Sequence, residues 1–386
     1  MKYLQFTEDE LREKGALFTA KEIEGQPDIW NQTAKKFYEE NTEINTFLKT
    51  ALAQSNQIIL TGAGTSAFIG LSLQGAFFRN TGIISNAIST TDLVSHPHNY
   101  LNAHQTPLII SFARSGNSPE SCAALDLADS FTKKCFHLII TCNKDGALSN
   151  YTSKNPIHVI NLPMDTNDKS LAMTGSYTSM LLTGLLIAYR EQKEFCTQQL
   201  MRVANASSQI ITTQTTELKD IAEKHFQRAV FLGSGALFGT ATEAALKLQE
   251  LTDGQIICKS DTYLGFRHGP KSVIDDTTLV VYFFINDEHI RQYETDLVHA
   301  MKKGNAVMFQ IGVAENKVEN IDTDTQINFP GEYMIAEDFL PLCSIIPAQI
   351  LGFYKSLQIG LMPDAPSVSG AISRVVQGVK IYSVEV

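Results

Sequence analysis

At 386 residues the chain is longer than the roughly 100 to 200 residues of one domain, so two globular units are expected. Hydrophobic residues make up 44% and charged residues 19%, a balance that excludes a disordered chain. The formal charge is -10, from 31 basic against 41 acidic residues, and no Lys/Arg run stands out, so no nucleic-acid partner is expected.

The first fifteen residues, MKYLQFTEDELREKG, are acidic and lack the apolar core of a secretory signal, so no export is expected. The longest apolar stretch, around Met180 to Tyr189, is broken by Thr183 and Gly184 and is shorter than the roughly 18 residues of a membrane span. No membrane partner is expected either. Residues 1–44 read as a helical arm, with Thr19 and Glu22 spaced like a capping box and an amphipathic stretch running from Pro27 to Ala53.

From Gln57 the texture changes. Short β-branched runs at QIIL (57–60), GII (82–84), PLIISF (107–112), HLIIT (137–141) and IHVINL (157–162) alternate with helix-like segments. That alternation predicts an α/β domain, a doubly wound parallel sheet flanked by helices on both faces. A long helical region follows, from about Tyr177 to Lys224, with a Thr/Gln/Ser-rich join near Ala206 to Thr216 where the domain boundary is placed, giving 45–210 and 211–386. A second series then runs through RAVFLG (228–233), QIIC (255–258), TLVVYFF (278–284) and AVMFQI (306–311).

The repeat shows best in two Gly-rich turns about 170 residues apart, ILTGAGTSAFIG (59–70) and FLGSGALFG (231–239), each closing a strand and opening a helix. A dinucleotide fold is disfavoured, because Ala67 and Phe238 replace the third glycine of its fingerprint and no ribose-binding acid follows. Six cysteines (Cys122, Cys135, Cys142, Cys196, Cys258, Cys343) are widely spaced without a C-x-x-C pair, which predicts neither disulfides nor zinc and reads as buried thiols of a reducing, cytoplasmic compartment. His96 and His98 flank Pro97 without Cys or acidic partners and read as an exposed loop.

The most informative segment is SFARSGNSPES, Ser111 to Ser121, between an apolar strand and the helix-like CAALDLADSF. A strand ending in small hydroxyl residues at a helix N-terminus offers backbone N–H groups to an anion. Ser115 and Ser118 add hydroxyls, Gly116 admits close approach, and Arg114 adds a charge-assisted bond. The same letters also suit an ordinary turn with Ser118 as N-cap and Pro119 at the first helical position. Further on, Glu243, Lys247 and Glu250 stand at i, i+4 and i+7 and share one helical face, either in a pocket or as a solvated ion pair.

The order GAGTS (62–66), ARSGNS (113–118), AMTGSYTSM (172–180), TEAALKLQE (242–250) and FRHGP (266–270) resembles the SIS-domain sugar isomerases, which include the isomerase half of glucosamine-6-phosphate synthase. ARSGNSPES together with RVVQGV (374–379) is more similar to the bacterial galactosamine-6-phosphate deaminase/isomerases, also labelled tagatose-6-phosphate ketose/aldose isomerases. The resemblance runs from about residue 45 to the end and implies two tandem SIS domains.

It further implies that Ser66, Arg114, Ser115 and Ser118 hold a phosphate and that Met173 and Thr174 line the sugar pocket. Glu250 would move the proton, with Lys247 and Glu243 setting its field, and His268, donated by the neighbouring subunit of a homodimer, would open the ring. Arg374 would lie in a C-terminal lid near the place of the synthase's catalytic lysine; arginine cannot form a Schiff base, so its role would be electrostatic. The synthase's Ser-Gln-Ser loop is altered here by Ala113 and Arg114, and YFFINDEHIRQ (282–292) in the second copy lacks the S-x-S-G pattern, so one active site per chain is expected.

The implied reaction is isomerising deamination of galactosamine 6-phosphate to tagatose 6-phosphate and ammonia, without metal or organic cofactor. Plain aldose–ketose isomerisation, glucosamine-6-phosphate deamination, a fructosamine-phosphate deglycase and a non-catalytic sugar-phosphate sensor are the alternatives. No glutamine-hydrolysing domain is expected before the repeats.

Overall fold

The computed structural model describes residues 1–329, 331, 333–376 and 378–385. They form two compact units: Asp28–Asp168 with Gly175–Cys196 and Ser373–Val386, here the first unit, and Met1–Pro27 with Lys169–Thr174 and Thr197–Ile372, the second.

The first unit is built on five strands: β1 (Gln57–Thr61), β2 (Ser85–Ala87), β3 (Pro107–Ala113), β4 (Phe136–Thr141) and β5 (Ile157–Asn161). They pair in the order β2-β1-β3-β4-β5 and every pairing is parallel. β3 and β4 are buried at every residue, which is why they read as unbroken apolar runs rather than alternating ones. After β1 the chain turns one way through the Thr65–Thr81 helix to β2; after β3 it turns the other way through the Pro119–Phe131 helix to β4. The carboxyl ends of β1 and β3 therefore flank the topological switch point, where open α/β sheets bind ligands.

One face of this sheet is sealed by Leu93, Leu101, Ala124, Leu125, Ala128 and Phe131 packed on Ile59, Ile109 and Ile139. On the helix Gly175–Ala188 every residue is buried, and a Cβ at Gly184 would stand 2.3 Å from Leu73 Cδ1, so a larger residue there would have to displace that side chain.

The second unit repeats the layout. Its strands β6 (Arg228–Leu232), β7 (Ile257–Asp261), β8 (Thr278–Phe283), β9 (Phe309–Ala314) and β10 (Thr325–Asn328) pair in parallel in the order β7-β6-β8-β9-β10. The helix Ala236–Leu251 packs on Ile346–Gln358, where Gly352 lets Leu251 approach to 2.8 Å of the place a Cβ would take. The stretch Glu337–Gln358 has the length and hydropathy to cross a membrane, yet 94% of its apolar window is buried inside the protein, so it serves as a core helix.

Several expectations are corrected. Thr19 and Glu22 form no capping box: that helix begins at Leu17 after Ala16, Thr19 Oγ1 donates to Asp364 at 2.8 Å, and Glu22 accepts from Lys169 N and Ser170. The capping box is Thr7 with Glu10. GII (82–84) is no strand, because Gly82 is the left-handed cap (φ +71°) of the preceding helix and β2 starts at Ser85. The QIIC and AVMFQI runs shift to Ile257–Asp261 and Phe309–Ala314. The Thr/Gln/Ser-rich join at 206–216, by contrast, lies in a helical region as expected, within the helix Lys193–Ala222, where Ser208, Thr212 and Thr213 donate to carbonyls four residues back.

Candidate active site

At the end of β1 the chain enters the GAGTS turn. A Cβ on Gly62 would lie 2.6 Å from the Ser66 backbone, and Gly64 adopts φ +55° and ψ −129°, so both positions require glycine. Thr65 and Ser66 then open a helix with their side chains buried at the switch point. The second unit repeats the turn closely, with Gly235 at φ +56° and ψ −129°. There, however, Glu337 Oε1 stands 3.0 Å from the place a Gly235 Cβ would take, and Asp287 caps the helix that follows β8. Carboxylates thus stand at the second copy's switch point, where their negative charge disfavours an anion.

The loop after β3 carries the remaining residues expected to meet an anion. Gly116 takes φ +66°, and the loop is tied down by Asn143 Nδ2 donating to Ser115 O (2.8 Å), Ala147 N to Asn117 Oδ1 (2.9 Å) and Leu148 N to Gly116 O (2.9 Å). Ser118 occupies the N-cap position with Pro119 at the start of the helix, but its hydroxyl shares a hydrogen bond with Ser121 Oγ (2.6 Å) instead of capping a backbone N–H. No side chain caps this helix, so its positive end faces the loop.

Arg114 is buried, and its guanidinium donates to the carbonyl oxygen of Arg374. Arg374 in turn donates through Nε to Asp168 O (2.8 Å) and through Nη2 to Asn167 Oδ1 (2.6 Å). Asp168 holds the next helix, accepting from Gly175 N and Ser176 N at 3.0 Å each. Beside this group burial pushes the Cys142 thiol up to about 12, which keeps it protonated and inert. Neither Asn167 nor Asp168 was legible as a site residue, because Asp168 caps a helix seven residues further on, outside the usual local spacing. Gln377 of the RVVQGV run lies outside the described residues.

In the second unit Glu243, Lys247 and Glu250 meet as their spacing predicts. Lys247 Nζ lies 3.3 Å from Glu243 Oε1 and 2.5 Å from Glu250 Oε2. Glu243 and Lys247 are fully buried, whereas 22% of the Glu250 side chain remains exposed. A buried ammonium fixed by one sealed carboxylate thus orients a second carboxylate that solvent can reach. His268 stands exposed on a turn anchored by the buried Tyr263 and Phe266, followed by Gly269 at φ +117°. Met173 and Thr174 are buried. Ser66, Arg114, Ser115, Ser118 and Arg374 therefore belong to the first unit, and Met173, Thr174, Glu243, Lys247, Glu250 and His268 to the second.

Among the described residues one trio, Asp129, Cys135 and His137, brings potential metal-binding atoms together. Its donors are spent on one another: Asp129 accepts from His137 Nε2 (2.8 Å), Asn155 Nδ2 (2.8 Å) and Ser153 Oγ (2.6 Å). Burial pushes the Cys135 thiol up to about 12, so the trio is a hydrogen-bonded knot. His96 and His98 are exposed, as expected, His98 against the Phe131 ring.

The sheet order, the glycine turn and the hydroxyl loop define an α/β protein of the SIS class, and the SIS domain matches residues 51–190. The chain is 39% identical over 384 residues to the D-galactosamine-6-phosphate deaminase AgaS of Shewanella sp. (strain ANA-3), covering 98% of this chain and 95% of that one. It is 40% identical over 372 residues to the D-galactosamine-6-phosphate deaminase AgaS of Escherichia coli, covering 95% of each. The crystal structure of tagatose-6-phosphate ketose/aldose isomerase from Escherichia coli superposes with a TM-score of 0.84 at 36% identity, over 95% of this chain and 97% of that one. The chain belongs to the AgaS family of SIS-domain sugar-phosphate enzymes.

Proposed function

We propose that this enzyme converts D-galactosamine 6-phosphate and water to tagatose 6-phosphate and ammonia. The observation that carries the proposal is the Glu243–Lys247–Glu250 set, a half-open carboxylate oriented by a buried ammonium, in a chain of the AgaS family. The uncapped helix start after Ser118, with the hydroxyls of Ser66, Ser115 and Ser118, supports phosphate binding.

His268 passes a proton to the ring oxygen as O1 gives one up, which opens the sugar to its aldehyde. Glu250 then takes the C2 proton, forming an enolamine, and the proton returns to C1. The C2 ketimine adds water, the C–N bond breaks, and ammonia leaves with the proton it needs, so one water is consumed and no oxidant or metal is required. Lys247 and Glu243 hold Glu250 in register, Met173 and Thr174 line the sugar, and Arg374 supplies fixed positive charge. His268, exposed on its glycine-hinged turn, is donated to the site of a second copy, which makes the working form a homodimer. Six free cysteines support a cytoplasmic location.

Plain aldose–ketose isomerisation uses the same groups without the last step, and the name of the Escherichia coli structure favours it as the second reading. The test is to incubate the purified protein, with EDTA present, with galactosamine 6-phosphate, glucosamine 6-phosphate or tagatose 6-phosphate while following ammonia and ketose. Ammonia from the galacto compound is expected. Interconversion of tagatose 6-phosphate without ammonia from either aminosugar would select plain isomerisation.

A further inference from the structure

The loop that carries Ser115 and Ser118 is tied to the C-terminal tail through two arginines, and the tie uses residues to which sequence reasoning gave no part. Arg374 is the hub. Its guanidinium forks onto Asp168 O (2.8 Å from Nε) and Asn167 Oδ1 (2.6 Å from Nη2), while its own carbonyl accepts from Arg114. Asp168 is itself immobilised by accepting from Gly175 N and Ser176 N, each at 3.0 Å, so the fork grips a rigid post at the start of a fully buried helix.

Residues 361–385 contain no helix or strand among those described, and Val368, Ile372, Val376, Tyr382 and Val384 are exposed. Little apolar packing restrains this segment, so polar ties set where it lies. Around Arg374, Ser373 Oγ donates only to Val375 O (2.8 Å), a bond within the tail itself.

We infer that Asn167 is a positioning residue of this enzyme, and that Arg114 and Arg374 form a latch that holds the tail against the phosphate loop. Arg114 thereby couples two events. A phosphate monoester arriving at Ser115 and Ser118 draws on the guanidinium that holds the tail, so tail order responds to occupancy of the loop. Bonds from a charged guanidinium are stronger than neutral ones and depend on geometry, and the fork fixes two directions at once.

The latch is tested by amide hydrogen exchange of residues 373–376 in phosphate-free buffer, in the full chain, with substrate absent. Asn167→Ala removes one arm of the fork, and exchange there is expected to rise about ten-fold, the loss of one charge-assisted hydrogen bond. Asn167→Asp keeps the acceptor and is expected to exchange at the rate of the unaltered protein. Arg114→Ala, which leaves the fork intact, is also expected to speed exchange, a result that a purely phosphate-binding arginine would not give when no anion is present. Wild-type exchange in both alanine variants, or equally fast exchange in Asn167→Ala and Asn167→Asp, overturns the latch.

A second arm adds inorganic phosphate to the unaltered protein, where a change in exchange at 373–376 is expected and its absence removes the coupling. A third arm rests on the reading given under Proposed function: with galactosamine 6-phosphate, Asn167→Ala is expected to raise KM about ten-fold with a smaller change in kcat. If the unaltered protein does not turn that compound over, the functional reading fails while the exchange results still decide the latch.

Discussion

Lys247 Nζ lies 2.5 Å from Glu250 Oε2, and the same ammonium is held from behind by Glu243 at 3.3 Å. Both Lys247 and Glu243 are sealed from solvent. Two carboxylates around one buried cation are stable only while the cation is present. Replacing it with a neutral chain of similar length, Lys247→Met, leaves Glu243 charged and uncompensated. Breaking a buried pair from one side costs about 3 to 5 kcal/mol. Urea unfolding is expected to show a loss of that order, together with loss of turnover. A variant as stable as the parent would mean that Glu243 carries a proton in the folded protein and that the trio is no ion network.

Glu250→Gln separates orientation from proton transfer. The amide oxygen still accepts from Lys247, so shape and substrate binding are kept, but the side chain can no longer take a proton from C2. General-base catalysis of this kind contributes about 10² to 10⁴ in rate, and kcat is expected to fall by that range with KM little changed. Unaltered turnover would remove Glu250 from the mechanism.

Much of this was legible because the relevant signals are local. β3 and β4 announce themselves as apolar runs, since a parallel strand covered on both faces has no polar side to show. The two glycine turns share one backbone geometry because a helix that starts directly over its strand leaves no room for a side chain at Gly62 or Gly233. The Glu243–Lys247–Glu250 face follows from helical periodicity alone. What stayed hidden depends on partners distant in sequence. Thr19 and Glu22 have the spacing of a capping box, yet their side chains are claimed by Asp364 and Ser170. Asn167 and Asp168 matter through Arg374, more than two hundred residues away. The short strand Thr325–Asn328 reads TQIN and has too little apolar content to stand out.

Glu294 gives the second unit a pH-dependent stability. Its carboxyl is nearly sealed, and burial raises it from the ordinary 4.5 to about 8, with Glu337 and Asp287 adding to the rise; the Ile285 N–H at 3.2 Å and Arg291 at 3.7 Å offset only part of it, and the Tyr263 ring packs nearby as a neutral phenol. The folded protein therefore holds a proton that the unfolded chain releases near 4.5. Stability from this group is complete below that pH, declines as pH rises toward 8, and levels off above it. Glu294→Gln mimics the protonated form and is expected to remove the decline, so that denaturation midpoints at pH 5 and pH 9 differ less than in the parent. An identical slope in both proteins would show that Glu294 ionises normally in the fold.

His268 offers the most discriminating experiment on assembly. It is exposed on a turn fixed by the buried Tyr263 and Phe266 and hinged by Gly269 at φ +117°, the arrangement of a side chain presented outward. If it completes the site of a second copy, Glu250→Gln and His268→Asn are inactive for reasons carried on different chains. Mixing them after mild dissociation forms heterodimers in which one of the two sites has an intact Glu250 and an intact His268. Random pairing makes half of the dimers mixed, each with half its sites restored, so roughly a quarter of the parent activity is expected to return. A histidine serving the site of its own chain predicts no recovery at any mixing ratio, because every site then lacks one of the two groups.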